Sequence, residues 1–473
     1  MFETEVMGTL TIEDIIKATG GRVVYGNGNS HAFTGVSIDS RAIREGELFI
    51  ALRGSKYDGH DFLYKALEKG SGALVNFPPA EPLRGKIIIY VKNTLNALQD
   101  IAHYMRMRSN IPVIGITGTN GKTTTKELIA SILGTRYRVL KNTGNLNNHI
   151  GLPLSLTKLG DEDEMIVLEM GASAQGDIKE LCGIAVPDYG VVTNIGPGHL
   201  EGFGSIEAVR NTKLELLDTV KGVAVSADDA FLMQGLSMYH GKVITFGIEN
   251  KADVFARDIN IRDRGSDFLL CFGAGRQVEI NLKIPGTFNI YNALAAASVG
   301  DIFKIDLQSI KAGIESFKGV PMRLEIKELF GATVISDVYN ANPASMEAAV
   351  KELVRLRKVR AIAVLGDMLE LGSYAEEAHR KLGEWMSKLP IDIFIAVGPL
   401  MAEAESLFAK KGGQSFRAAT ASEAGEILIG ICREDDTVLV KGSRGMGMEK
   451  VLETNPVRDV SLNGVNKEED NAV

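Results

Sequence analysis

Val113-Ile114-Gly115-Ile116-Thr117-Gly118-Thr119-Asn120-Gly121-Lys122-Thr123-Thr124-Thr125 runs from a short apolar stretch through a glycine-rich loop into a helical pattern. A strand that feeds such a loop and then a helix turns backbone N–H groups and the positive helix end toward one point, which suits a phosphate. Lys122 is spaced to reach β- and γ-phosphates, and the Thr123 hydroxyl suits Mg2+. Gly118, Thr119, Asn120, Gly121, Lys122, Thr123 and Thr124 are therefore the expected nucleotide loop. The usual GxxxxGK[ST] spacing is not met, because Ile116 stands where the first glycine belongs. A glycine turn before an ordinary helix is the plainer alternative, and the strand-loop-helix context argues against it.

Outward from the loop, apolar runs at 165–168 and 189–193 each end in polar residues, the pattern of parallel strands that gather chemistry at their carboxyl edge. Glu169 closes the first, and His199 lies just past the second in Thr193-Asn194-Ile195-Gly196-Pro197-Gly198-His199-Leu200-Glu201. Upstream, short strands at 48–52 and 86–91 and a helical pattern over 94–108 predict a small α/β domain. Residues 241–285 turn strand-rich, predicting a β-insert followed by a return helix through 289–297. Beyond 319, apolar strands at 361–365, 393–397 and 437–440 alternate with helical patterns, which predicts a doubly wound unit. The expected fold is thus α/β in three domains: a small domain over 1–108, a central P-loop parallel-sheet domain over 109–318 and a C-terminal Rossmann-like domain over 319–473. A length of 473 residues agrees, at about 150 per domain. The acidic run Asp161-Glu162-Asp163-Glu164 reads as a solvated turn rather than a metal site, and 466–471 as a frayed tail.

Composition narrows the function classes. With 45% hydrophobic and 24% charged residues the chain is globular, not disordered or fibrous. A net charge of -8 opposes a nonspecific nucleic-acid binder. Cys182, Cys271 and Cys432 are far apart, so buried thiols are expected rather than a disulfide framework or a thiolate zinc site. The first residues are acidic and lack an apolar core, and no run approaches the roughly 18 apolar residues of a membrane span. A cytoplasmic protein with cytoplasmic substrates is the expectation.

The variant phosphate loop resembles that of the Mur ligase family, and the resemblance extends over nearly the whole chain. Asp39-Ser40-Arg41, with Gly46-Glu47-Leu48-Phe49-Ile50-Ala51 and Asp58-Gly59-His60-Asp61-Phe62, resembles the part that binds the uridine end of the substrate, singling out Ser40 and Arg41. Asn142-Thr143-Gly144-Asn145-Leu146-Asn147-Asn148-His149-Ile150-Gly151-Leu152-Pro153 resembles a loop close to the UDP-sugar, with Thr143, Asn145, Asn147 and Asn148 as contacts. Leu365-Gly366-Asp367-Met368-Leu369-Glu370-Leu371-Gly372 and Lys441-Gly442-Ser443-Arg444-Gly445-Met446 resemble C-terminal signatures of the branch that adds D-alanyl-D-alanine. So does Asp337-Val338-Tyr339-Asn340-Ala341-Asn342-Pro343-Ala344-Ser345, which brings Tyr339, Asn340 and Asn342 to the substrate. Taken plainly, that stretch is an Asn-Pro turn ending in a Ser helix cap.

The resemblance implies an ATP-dependent ligase of cell-wall precursor synthesis, acting as a monomer on UDP-MurNAc-tripeptide and D-Ala-D-Ala with ATP and Mg2+. The substrate carboxylate takes the γ-phosphoryl group, and the dipeptide amine then displaces phosphate from the acyl phosphate. Lys122, His199 and Lys213 are the implied catalytic residues; Thr123, Glu169, His199 and Lys213 the implied metal side, Lys213 as a carbamate. Asn289 and Asn292 match the adenine-side helix, where Phe288 replaces the usual histidine. Arg323 matches a phosphate contact and Asp337 a ribose contact, which requires the third domain to close over ATP. Glu201 and Glu215 read as solvated or supporting groups. Rival readings are the ligase adding the third amino acid, a folylpolyglutamate synthetase, and a P-loop regulatory switch; 144–148 and 339–343 oppose the first two.

Overall fold

A computed structural model describes residues 9–26, 32–81, 84–453 and 458–459; the expected tail at 466–471 lies outside them. The chain builds three main sheets. In the first, strands Gly35–Ser37, Glu47–Ile50, Gly72–Val75 and Ile87–Tyr90 run parallel, and Arg22–Tyr25 adds an antiparallel edge. Helix Thr94–Arg108 follows, where Asn93 accepts from the N–H groups of Leu95 and Asn96 at 2.9 and 3.1 Å and so caps the first turn.

Val113–Thr117 lies inside a nine-stranded sheet, paired in parallel with Met165–Glu169 on one side and Tyr189–Val192 on the other. All five of its residues are buried, as expected of a strand covered on both faces. Ile116 is therefore a core strand residue, and the loop proper begins at Gly118. The strand-rich stretch after residue 241 is not a separate insert. Lys242–Gly247 and Val254–Arg262 continue the parallel sheet, and Gly265–Phe272 and Gln277–Leu282 extend its edge through antiparallel pairings. Helix Thr287–Ile302 then packs on the phosphate-loop helix Lys122–Leu133.

The third sheet has seven strands. Gln414–Ala418, Ile393–Val397, Ala361–Gly366, Thr437–Lys441 and Ala332–Asp337 are parallel, followed by the antiparallel Glu325–Leu329 and Arg458–Asp459. The three predicted apolar strands lie at its centre. The more polar strands beside them are not evident from the sequence because they lack a continuous apolar run. Helix Pro343–Leu356 starts at the expected turn, but its cap is Asn342, with Ser345 completing a capping box; Pro343 can occupy the first helical turn, so the helix begins before the serine.

The way these units pack sets what can move. Leu98, Ile101 and Met105 of helix Thr94–Arg108 share one apolar cluster with Leu152, Leu156, Ile178 and Leu181 beneath the second sheet. Separating those two units would expose a continuous core at roughly 25 cal/mol per Å². The third unit has apolar clusters of its own, and Phe288 from the second unit packs against one of them. Hydrogen bonds also cross that interface, from Arg323 to Thr123 and from Asn342 to Asn120.

Candidate functional site

Thr117, Glu169 and Val192 end neighbouring parallel strands, so the loops that follow open on one side of the second sheet, facing the third unit. Between them lies a cleft of about 1090 Å³. Gly121, at φ 81°, starts helix Lys122–Leu133 without a side-chain cap, leaving its first N–H groups free for an anion. Two glycines are required by contact: a Cβ on Gly118 (φ 136°) would lie 2.1 Å from the Thr193 Oγ1, and one on Gly121 2.3 Å from the Asn292 Oδ1.

Thr193-Asn194, to which the sequence alone assigns no role, braces this loop. Thr119 N–H donates to the Asn194 carbonyl at 2.9 Å, Asn120 N–H to Asn194 Oδ1 at 3.0 Å, and the Thr193 hydroxyl to the Asn120 carbonyl at 2.6 Å. The position of the pair just past a parallel strand is the signal that could have found it. Lys122 Nζ donates to the carbonyls of Gly118 and Thr119 at 2.9 and 3.0 Å. Burial pushes its pKa down; Glu169 opposes the shift and Arg323 adds to it.

Among the residues expected to hold a metal, Glu169 is buried, and Asn142 clamps its backbone by accepting from its N–H and donating to its carbonyl, both at 2.9 Å. The fully buried Lys126 fixes Asn142 in turn through its carbonyl at 2.5 Å. Asn147 Nδ2 donates to Glu169 Oε1 at 2.8 Å, while Oε2 is buried without a partner. His199 Nδ1 lies 2.6 Å from Glu370 Oε2. Partial burial pushes this imidazole below its usual value, the Glu370 carboxylate opposes that, and the charges of Lys122 and Lys213 reinforce it. Lys213 is buried, with Nζ 3.4 Å from the Ala172 carbonyl. Burial first, and then repulsion from Lys122, pull it down to about 7 against Asp177 and Glu215. Glu215 accepts from the N–H groups of Gly176 and Lys179 at 2.9 Å, a supporting role. The 161–164 run is a turn, tied by Glu162 to Arg138.

Across the cleft, Arg323 donates to the Thr123 hydroxyl at 3.1 Å and stacks 4.2 Å over the Tyr339 ring. Asn342 Nδ2 donates to Asn120 Oδ1 at 2.8 Å, so the helix cap also touches the phosphate loop. Asp337 pairs with the buried Lys441 at 2.5 Å, and Lys441 also donates to the Asn340 carbonyl at 2.8 Å. Asn289 and Asn292 line the cleft but are engaged within the protein: Asn289 donates to the Pro285 carbonyl, Asn292 donates to Asn289 Oδ1 and accepts from Thr125. Asn145, Asn147, Asn148, Tyr339 and Asn340 also line the cleft, whereas Ser40, Arg41 and Thr143 do not. Arg41 is exposed and paired with Asp39 at 2.8 Å.

Comparison with known proteins follows the same three units. The Mur ligase family catalytic domain matches residues 32–106, the Mur ligase middle domain 116–300, and the Mur ligase glutamate ligase domain 322–444. The UDP-N-acetylmuramoyl-tripeptide--D-alanyl-D-alanine ligase of Bacillus subtilis is 36% identical over 93% of this chain and 97% of its own length. Its Escherichia coli counterpart is 35% identical over 88% and 92%. The crystal structure of MurF from Acinetobacter baumannii superposes with a TM-score of 0.88 at 30% identity, covering 95% of this chain and 99% of that one. MurF from Thermotoga maritima in complex with ADP gives 0.78 at 30% identity, over 89% and 96%. With the three domain matches in order and relatives aligned along almost their whole length, the chain belongs to the Mur ligase family.

Proposed function

We propose that this chain is a cytoplasmic ATP-dependent ligase that joins D-alanyl-D-alanine to UDP-N-acetylmuramoyl-tripeptide, giving the pentapeptide, ADP and phosphate in peptidoglycan precursor synthesis. Relatives of matching length bear that name, and an ADP complex exists for a similar structure. The observation that carries the reading is the cleft itself: a free helix N-terminus with Lys122 on one wall, and Arg323 reaching Thr123 from the other. In this reading residues 1–108 hold the UDP end through Ser40 and Arg41, 109–318 the nucleotide, and 319–473 close over it. No helix among the described residues is long and apolar enough to cross a membrane.

The residues fit Mg2+. Glu169 offers a buried oxygen with no partner in the protein, and the Glu370 contact at His199 Nδ1 leaves Nε2 as the nitrogen for a metal. Thr123, Glu169, His199 and a Lys213 carbamate would hold it, and it would offset the charge on the transferring phosphoryl group. The chain's own cations, Lys122 and Arg323, flank the same place. They stabilise the transfer of the γ-phosphoryl group to the tripeptide carboxylate, which makes that carboxyl an acyl phosphate. The dipeptide amine then attacks the carbonyl carbon and phosphate leaves. In this reading Asn147, beside Glu169, and Tyr339 and Asn340, on the opposite wall, would orient the two substrates.

The test is phosphate release with ATP, Mg2+, the UDP-tripeptide and D-Ala-D-Ala, each omitted in turn, with the product weighed by mass spectrometry. Release that depends on all four, with a pentapeptide product, is expected. Turnover only with a UDP-dipeptide and a free amino acid would move the chain to the neighbouring ligase.

A further inference from the structure

Glu370 lies in the stretch 365–372, which the third unit pins at three points. Asp367 accepts from Met401 N–H at 2.6 Å, Met368 N–H donates to His379 Nε2 at 3.0 Å, and Leu369 N–H donates to the Ser443 hydroxyl at 2.8 Å. Its tip crosses to the second unit. The Glu370 carbonyl accepts from Glu201 N–H at 3.1 Å, and a Cβ on Gly372 (φ 56°) would lie 3.1 Å from the Glu201 Cα. The Glu370 carboxylate then reaches His199 Nδ1 at 2.6 Å.

Both ends of this pair have left-handed backbones, Glu370 at φ 61° and His199 at φ 53°. Such geometry persists in non-glycine residues where surrounding contacts hold it. Stability is not its purpose: the two side chains are 59% and 37% exposed, and an exposed ion pair contributes little. Orientation is the better account, since a metal-binding imidazole commonly donates its second N–H to a carboxylate that sets its tautomer. Here the carboxylate belongs to the other side of the cleft.

We propose that Glu370 is a positioning residue: when the third unit closes, it accepts the Nδ1–H of His199 and turns Nε2 to the metal, so closure and metal affinity are coupled. The proposal rests on the reading of His199 as a metal ligand. By linkage, the metal must then favour closure as much as closure favours the metal.

The test uses the full chain with ADP and Mn2+ as the probe, metal affinity being read by electron paramagnetic resonance and closure by small-angle X-ray scattering. His199→Ala should weaken Mn2+ binding. Glu370→Ala should weaken it by about 10- to 100-fold and reduce the metal-induced compaction, with metal-free ADP affinity serving as the check on folding. Glu370→Gln, which keeps an acceptor oxygen, should fall between Glu370→Ala and the unmodified protein. If His199→Ala weakens Mn2+ binding and Glu370→Ala does not, the coupling is wrong while the ligand assignment stands. If neither variant changes it, His199 is not a ligand and both ideas fail.

Discussion

Arg323 and Thr123, 200 positions apart, share a hydrogen bond of 3.1 Å across the cleft. The guanidinium thus occupies the wall opposite the phosphate loop, 4.2 Å over the centre of the Tyr339 ring. It belongs to the unit that does not share a core with the loop's own sheet, so any separation of the two units would break this contact.

Replacing Arg323 should act on turnover more than on substrate affinity. Removing one group aimed at developing charge typically costs about 100- to 1000-fold in kcat, and Arg323→Ala is expected in that range. Arg323→Lys keeps the charge but loses the guanidinium's contact with the Tyr339 ring, and should recover only part of the loss. Steady-state kinetics with separate kcat and KM values checks both.

Gly118 and Gly144 provide a contrast between two positive-φ glycines. Gly118→Ala puts a methyl group against Thr193, which braces the loop; ADP affinity should fall by more than tenfold, with about 1–3 kcal/mol of strain. At Gly144, with φ 56°, an added methyl group would meet nothing within 4 Å, so Gly144→Ala should cost only the left-handed backbone term of about 1–2 kcal/mol. Calorimetric titration with ADP and thermal melting separate the two.

Lys213 should be chemically distinct from the surface lysines. Its burial and the nearby Lys122 charge hold it down to about 7, so the neutral amine becomes abundant as pH rises through 7. Only the neutral amine attacks CO2, losing a proton as the carbamate forms. A carbon-13 signal from labelled bicarbonate should therefore grow between pH 6 and 8 in the unmodified protein and vanish in Lys213→Arg. An unchanged signal in that variant would place the carbamate elsewhere.

His379 ties third-unit stability to pH. It is fully buried, its Nε2 accepts from Met368 N–H at 3.0 Å and its Nδ1 faces the Ala375 carbonyl at 2.7 Å, so the ring is neutral. Burial holds its folded pKa below the ordinary 6.5. The unfolded chain therefore takes up the proton first, and stability present above pH 6.5 is lost as pH falls toward the folded value. Hydrogen exchange in strand Ala361–Gly366 should quicken on acidification from pH 7, after correction for the intrinsic rate, and should do so less in His379→Gln.

Local order carried much of this molecule into legible form. The run from Val113 to Thr125 specified strand, loop and helix because each needs only near neighbours: a buried apolar strand, glycines that accept positive φ, and a helix start open to an anion. The central strands of the third sheet were legible for the same reason, being continuous apolar runs. Ile116 showed the limit of spacing rules, since its place in the strand depends on partners at 165–169 and 189–192. The amide groups of Asn147 and Asn342 were legible as polar and loop-borne, but their partners, Glu169 and Asn120, were decided by folding. Glu370 at His199 and Arg323 at Thr123 are interactions of the same kind, joining residues on units with separate cores. A sequence specifies what each segment can do with its neighbours; which carboxylate meets which imidazole across a cleft depends on how whole sheets pack, and only the tertiary structure decides that.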